Sequence, residues 1–191
     1  DREQFKRIFQ KTLDILIIFI VPLVAGILIL SLPIVILIGG KDFDVSSPVL
    51  QILSLAIGLI FLGNLFGVSI IALNKQKIGA WIYLSGMIFN IVTNLIFIPK
   101  YSYIGAASTT VVTEFLVTVL MLILICRTIH YCPRFNAIKP LIAGLAMGLF
   151  IYYFQNWNLF IIIGMGGIIY FAVLYLIKGI RKKEVALLIK E

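Results

Sequence analysis

Six apolar runs, each of about twenty residues, restrict what this sequence can fold into. An α-helix needs this length to cross the hydrocarbon core of a bilayer. Because a bilayer offers the backbone no water to bond, segments that cross it as such runs are helical. The runs are approximately Leu13–Ile38, Pro48–Leu73, Ile78–Ile98, Ile104–Cys126, Ile138–Phe154 and Leu159–Ile177.

Composition supports the same class. The chain is 62% hydrophobic and 13% charged, whereas soluble domains are about half apolar and a quarter charged. The short segments of alternating polarity that mark a membrane β-barrel are absent from the sequence. We therefore predict an all-α, polytopic integral membrane helix bundle with about six transmembrane helices.

Basic residues lie almost entirely at alternate ends of the runs. Fourteen of the sixteen precede the first run or follow an even-numbered run, and only Lys41 and Lys100 lie at the opposite ends. Cytoplasmic loops carry the excess of lysine and arginine in membrane proteins. We expect both ends of this chain in the cytoplasm. The net charge of +8 then follows from topology and needs no nucleic-acid partner.

The segment before the first run predicts a surface helix. Phe5, Ile8, Phe9 and Leu13 recur at helical spacing, with basic residues off that face. This pattern is typical of an amphipathic helix lying on the membrane surface. At the membrane edge, Asp14 follows Lys11 by three residues, which predicts an interfacial ion pair.

Two further features concern the start of the chain and its cysteines. The chain opens on Asp1 and has no signal-peptide pattern, so we expect a fragment or a processed product. The segment "CRTIHYC" holds both cysteines and the single histidine. Its spacing fits no common zinc pattern, so we predict reduced thiols in a cytoplasmic loop, with no metal and no other cofactor.

The third and fourth runs carry the most informative polar residues. The short connection "PKYSY" predicts an antiparallel hairpin of two helices. Each helix then has one polar or small-residue stripe, because residues four apart share a face. The stripes are Gly86, Asn90 and Asn94 with Thr93 on one helix, and Ala106, Thr110, Glu114 and Thr118 with Thr109 and Thr113 on the other.

Glu114 is the only acidic residue well inside an apolar run. An ionised carboxylate near mid-membrane costs several kcal/mol if it faces lipid. No basic residue lies at that depth in the six runs, so desolvation favours the neutral acid. Two readings remain open. Glu114 takes part in proton coupling or lines a polar path with Asn90, Asn94, Thr110 and Thr113, or it makes a structural hydrogen bond with Asn90.

Pro22 lies in the interior of the first run and predicts a kink there. A kink serves either as a hinge in a moving transporter or as a fixed element of bundle shape, and the sequence favours neither. The second run contains "GNLFG", in which Gly63 and Gly67 predict close helix packing.

From Leu73 to Glu114 the order of motifs is similar to a known family. The turn Asn74–Lys77, the pair Asn90 and Asn94, "LIFIP" and "IGAA" followed by threonines and Glu114 resemble bacterial polysaccharide flippases. These belong to the multidrug/oligosaccharidyl-lipid/polysaccharide exporter superfamily, which includes O-antigen transporters. The upstream "VPLVAGILILSLPIVILIGGKDF" resembles the helix that begins the family's C-terminal region.

The resemblance implies the C-terminal half of a transporter with 12 to 14 spans in two lobes, located in the bacterial inner membrane. Residues 1–126 would form the polysaccharide-synthesis C-terminal-type region, a surface helix plus four spans, and residues 127–191 two accessory spans and a basic tail. The implied partners are membrane lipids, the N-terminal lobe and an undecaprenyl-pyrophosphate-linked oligosaccharide. Pyrophosphate-binding residues would lie in that N-terminal lobe, while Lys75 and Lys77 are candidates for contact with lipid phosphate.

The sequence is compatible with three functions. The first is a flippase for lipid-linked oligosaccharide or polysaccharide precursors working by alternating access. The second is an exporter of amphipathic cations from the same superfamily, which an acid in a polar cleft would suit. The third is a membrane enzyme of envelope glycan synthesis. Such an enzyme needs an acid/base or metal constellation at one membrane face, and the sequence offers no catalytic candidate.

Overall fold

A computed structural model describes residues 2–155 and 157–179. A 3₁₀ turn, Lys41–Ser46, connects the first two helices, and no strand occurs within these described ranges. The basic residues Arg181, Lys182, Lys183 and Lys190, which were expected to form a cytoplasmic tail, lie outside the described residues. The helices are α1 (Arg2–Gly39), α2 (Ser47–Ala72), α3 (Gln76–Ile129), α4 (Ile138–Tyr153) and α5 (Leu159–Leu176).

Helix α3 is a hairpin of two arms. Its 54 residues would extend about 81 Å if straight, far more than one bilayer crossing requires. The backbone breaks at Ser102 (φ 51°, ψ −134°), between a first arm, residues 76–101, and a second arm, residues 103–129. Asn90 on the first arm bonds Thr113 on the second, so the arms pack side by side as the sequence predicted.

The number of apolar crossings therefore agrees with expectation. Four of the described helices are long and apolar enough to span a membrane, and α3 contributes two arms. Helix α4 is shorter, with 16 residues, or about 24 Å. The predicted all-helical, multi-pass membrane bundle is confirmed.

Helix α1 differs from the sequence prediction. The basic segment is not a separate surface helix, because one helix runs from Arg2 through Pro22 and Pro33 to Gly39. Phe9 and Leu13 are almost completely buried and pack against Phe66 of α2 and Ile129 of α3. Other helices thus cover Phe9 and Leu13 of the apolar face, whereas Ile8 stays exposed.

Two apolar clusters hold the bundle, and α1 contributes to both. The first joins the beginning of α1 to α2 and the second arm of α3 through Phe66, Met121 and Ile125. The second joins the later part of α1, at Leu30, to α4 and α5. The accessory helices thus pack on α1 rather than forming an isolated pair. The proposed division at residue 126 stays a prediction.

The loop between α3 and α4 is tied to α1 by Gln10. Its side-chain amide donates to the carbonyl of Arg134, and its Oε1 accepts from the Arg134 amide and the Tyr131 hydroxyl. Asp14 accepts from Gln10 and Asn136. The expected pair of Asp14 with Lys11 is absent, because Asp14 is bonded to amides; among the described residues the ion pair is Lys6 with Glu3.

Pro22 is compensated by a neighbouring helix. Proline has no N–H, so the carbonyl four residues earlier loses its partner within the helix. That carbonyl belongs to Ile18, and it accepts a 2.7 Å hydrogen bond from the hydroxyl of Tyr170 on α5. Tyr170 is completely buried. The hinge role of Pro22 stays a prediction.

Candidate functional site

The polar stripes of the α3 hairpin meet in one hydrogen-bonded seam. The Asn90 amide nitrogen donates to Thr113 Oγ1 at 3.0 Å, and the Asn94 amide nitrogen donates to Asn90 Oδ1 at 2.8 Å. Asn94 Oδ1 accepts from the hydroxyl of Thr109. These four side chains, here called the Asn–Thr seam, satisfy one another across the two arms.

Small residues bring the arms close enough for this seam. A Cβ placed on Gly86 would lie 2.4 Å from Cγ2 of Val117, a separation that real side chains do not reach. Toward the other side of the hairpin, a Cβ on Gly79 would lie 3.1 Å from Ile70 of α2. Gly86 is one of the predicted stripe residues, and its role is to let Val117 approach the first arm.

Glu114 stands apart from the seam. Sequence reasoning placed it within reach of Asn90, but both polar atoms of that amide are bonded, to Thr113 and to Asn94. Within the described chain, Glu114 has no hydrogen bond or ion pair. Thr110 likewise turns to its own helix and donates to the carbonyl of Ala106. The seam therefore contains Asn90, Asn94 and Thr113 of the predicted path residues.

Glu114 nevertheless lies on the inner face of its helix. Ala107 and Met121 lie seven residues to either side, hence on nearly the same face, and they are 3% and 0% exposed. Glu114 itself is half-buried. Counted from the ends of the second arm, it lies roughly 15 to 22 Å into the helix. An unpaired acid is thus held on a packed face near the middle of the bundle.

A groove between α2 and the first arm contains polar groups that sequence reasoning missed. It encloses about 350 Å³ and is lined by Asn64, Gln76, Tyr83 and Met121 among others. A Cβ on Gly67 would lie 3.0 Å from the Tyr83 hydroxyl. Gly67 thus makes room for this phenol, and Gly63 approaches Thr118. The packing role predicted for "GNLFG" is observed.

The exposed amide of Asn64 is the unexpected part of that groove. It has no hydrogen-bond partner among the described residues, although it lies eight residues, about 12 Å, from the end of α2. A polar side chain facing acyl chains at such depth is unfavourable. The amide side chain of Asn64 within a spanning helix is visible in the sequence and could have indicated this groove. That Tyr83 lines the same groove follows only from the packing of the helices.

The two candidate lysines are placed differently. Lys75 lines a cavity of about 560 Å³ together with Arg2 and Arg127, whereas Lys77 is not among its lining residues. Both lysines are exposed. A larger cavity of about 830 Å³, between α1, α2, α4 and the second arm of α3, has an almost wholly apolar lining.

The cysteine segment has no metal-site geometry. Cys126 and Cys132 are free thiols, half-buried and exposed respectively. His130 ends α3 in the left-handed conformation, with φ 52°. No group of three or more histidine, cysteine, aspartate or glutamate side chains is arranged to hold a metal in the part of the chain that the structure describes.

Comparisons with known proteins agree with this architecture, although no family model matches the sequence. The chain is 27% identical over 139 residues to the probable low-salt glycan biosynthesis flippase Agl15 of Haloferax volcanii. This match covers 73% of the present chain and 28% of Agl15. The fold of the present chain is similar to that of the lipid II flippase MurJ in the inward closed conformation, with a TM-score of 0.78 and 21% sequence identity.

The structural match covers 93% of this chain and 40% of the MurJ chain. The chain thus spans less than half the length of either protein. The resemblance found in the ordered motifs of the sequence is confirmed: nearly the whole chain has the fold of part of a flippase.

Proposed function

We propose that this chain is part of a transporter that moves lipid-linked oligosaccharide or polysaccharide precursors across the cytoplasmic membrane. The observation that carries the proposal is the similarity of fold to a lipid II flippase over 93% of the chain. The sequence similarity to a glycan biosynthesis flippase supports the same substrate class. Flipping a lipid-linked precursor moves it without breaking a bond, so this function is transport rather than catalysis.

The chain would supply one side of a two-lobed transporter. Both similar proteins are more than twice as long as the matched part, which leaves room for an N-terminal lobe. That lobe would hold the cations for the pyrophosphate of an undecaprenyl-type carrier. We place the protein in the bacterial inner membrane with both ends of this chain in the cytoplasm, as the distribution of basic residues predicts.

Within this chain, we assign the coupling role to Glu114. An acid without a fixed cation is neutralised readily when it is desolvated and ionised when water reaches it. Alternating access changes water access, so Glu114 would take up a proton in one conformation and release it in the other. Its position on a packed inner face, without a hydrogen bond within the described chain, supports this role better than a structural one.

Export of the glycan by the complete protein tests the proposal. We expect both Glu114→Gln and Glu114→Ala to reduce export at least tenfold while protein levels stay normal. Glutamine keeps the shape and hydrogen-bonding capacity of the side chain but cannot release a proton. A matched control is Thr110→Val, because that hydroxyl bonds only its own helix. Full export by both Glu114 variants would remove this residue from the mechanism.

A second function is favoured by the same acid. An uncompensated carboxylate in a membrane path would also attract an amphipathic cation, as in an exporter from the same superfamily. Cells that carry the complete protein would then accumulate less of a lipophilic cation dye, and Glu114→Gln would abolish the difference. Normal glycan export together with unchanged dye accumulation would exclude this alternative.

A further inference from the structure

A basic cavity lies where the α2–α3 turn meets the last turn of α3 and the start of α1. It encloses about 560 Å³, and its lining includes Arg2, Lys75 and Arg127. Among the residues that the structure describes, no acidic side chain lines it. The three cations come from chain segments more than fifty residues apart, so only the fold brings them together.

These cations are available to a ligand. None of the three has an ion pair or a side-chain hydrogen bond with another described residue. The nearby acid Glu3 bonds Lys6 at 2.7 Å. Like charges arranged around one cavity repel each other, and an anion between them would remove that cost.

A simpler role for the cations is to complement helix ends. Both α2 and α3 end beside the cavity, at Ala72 and Ile129, where positive charge is favourable. That role needs one cation at each end, and α2 has none in its own last turn. Neither Lys75 nor Arg127 donates a side-chain hydrogen bond to the terminal carbonyls in the described chain. The N–H donors of these two side chains are therefore not taken up by the helix ends in the described chain.

The remaining lining suits an amphiphile. Beside the cations lie Asn74 and Thr128, and the rest is apolar: Ala72, Leu73, Ile78, Leu124 and Ile129. Basic pockets between membrane helices at the cytoplasmic surface bind anionic head groups. We propose that Arg2, Lys75 and Arg127 form a binding site for a lipid phosphate ester, with the first carbons of the lipid against Leu73, Ile78 and Leu124.

Two lipids present this chemistry, and binding to the complete protein in detergent micelles separates them. One probe is fluorescent phosphatidylglycerol, a membrane phosphodiester. The other is farnesyl diphosphate, which represents the diphosphate of a lipid-linked precursor. The variants are Lys75→Gln and Arg127→Gln. Lys77→Gln removes the same charge two residues away, outside the cavity, and is the matched control.

We expect each cavity variant to weaken binding of the preferred probe about fivefold, with Lys77→Gln within twofold of the unmodified protein. Preference for phosphatidylglycerol would assign the site to membrane lipid. Preference for farnesyl diphosphate would assign it to the carrier, an assignment that rests on the proposed function. Normal glycan export by cells that lack the complete protein would refute that function while leaving the phosphatidylglycerol result intact.

Three outcomes would overturn the site. Equal weakening by Lys75→Gln, Arg127→Gln and Lys77→Gln would reduce it to general surface charge. Absence of saturable binding of either probe would also exclude it. Unchanged binding with a lower unfolding temperature in the Arg127 variant would assign that cation to the helix end.

Discussion

The hydroxyl of Tyr170 on α5 bonds the one carbonyl of α1, that of Ile18, which Pro22 deprives of its partner within the helix. In a membrane helix, a neighbouring helix is one of the few partners that can satisfy a carbonyl freed by proline. The contact therefore fixes the accessory helix α5 to the point where Pro22 interrupts the hydrogen bonds of α1. Any bending of α1 at Pro22 would have to move α5 or break this bond.

A double-mutant cycle measures this relationship. Tyr170→Phe should lower the free energy of unfolding by about 1–2 kcal/mol, because the partly buried carbonyl of Ile18 loses its donor. Pro22→Ala returns an N–H to α1, so Tyr170→Phe should cost much less in that background. Unfolding in mixed detergent micelles gives the four values. Equal costs in both backgrounds would show that Tyr170 does not compensate for Pro22.

Replacement of Gly86 should separate the arms of α3. The added Cβ of Gly86→Ala would overlap Val117, and overpacking of this kind costs about 1–3 kcal/mol. Gly26→Ala is the control, because nothing lies within 4 Å of its would-be Cβ and alanine is the better helix former. The same unfolding assay should show a loss for Gly86 and none for Gly26. A neutral Gly86→Ala would contradict the close contact.

The Asn–Thr seam predicts a difference between two asparagines. Asn94→Leu removes a bond to Asn90 within the first arm and a bond to Thr109 across the two arms. Interhelical bonds of the second kind are worth about 0.6 kcal/mol each, at most about 1.7. Asn64→Leu removes an exposed amide that has no partner among the described residues, so it should not lower stability. Losing more stability at Asn64 than at Asn94 would reverse the roles assigned to them.

Orientation is tested with thiol reagents that do not cross the membrane. The native Cys132 is exposed and should react only from the cytoplasm. In a variant with both cysteines replaced by serine, a cysteine at Arg134 should react from inside and one at Asn158 from outside. The reverse pattern would contradict the topology predicted from the basic residues.

Local sequence patterns predicted the helices well, because the formation of a helix depends mainly on residues close together in the sequence. Apolar length gave the spans, and the short "PKYSY" connection gave the α3 hairpin with its facing asparagines and threonines. Partners distant in the sequence were missed. Gln10 bonding Arg134 and Tyr170 bonding Ile18 depend on which helices pack together. Glu114 was assigned to Asn90 from equal depth and from the two polar stripes, although rotation about the helix axis directs Thr113 there instead.

Because α1 belongs to both clusters, part of α1 is synthesised long before the helices that it packs against. Leu30 is translated more than a hundred residues before Ala143 of its own cluster, a delay of roughly 5 to 25 s at ordinary rates of translation. In that interval Leu30 can rest against acyl chains, which are as apolar as its final partners. For the neighbouring Ser31, contact with acyl chains is less favourable, because its hydroxyl would lack a hydrogen-bond partner there. Its hydroxyl pairs with Ser47, which leaves the ribosome only sixteen residues later.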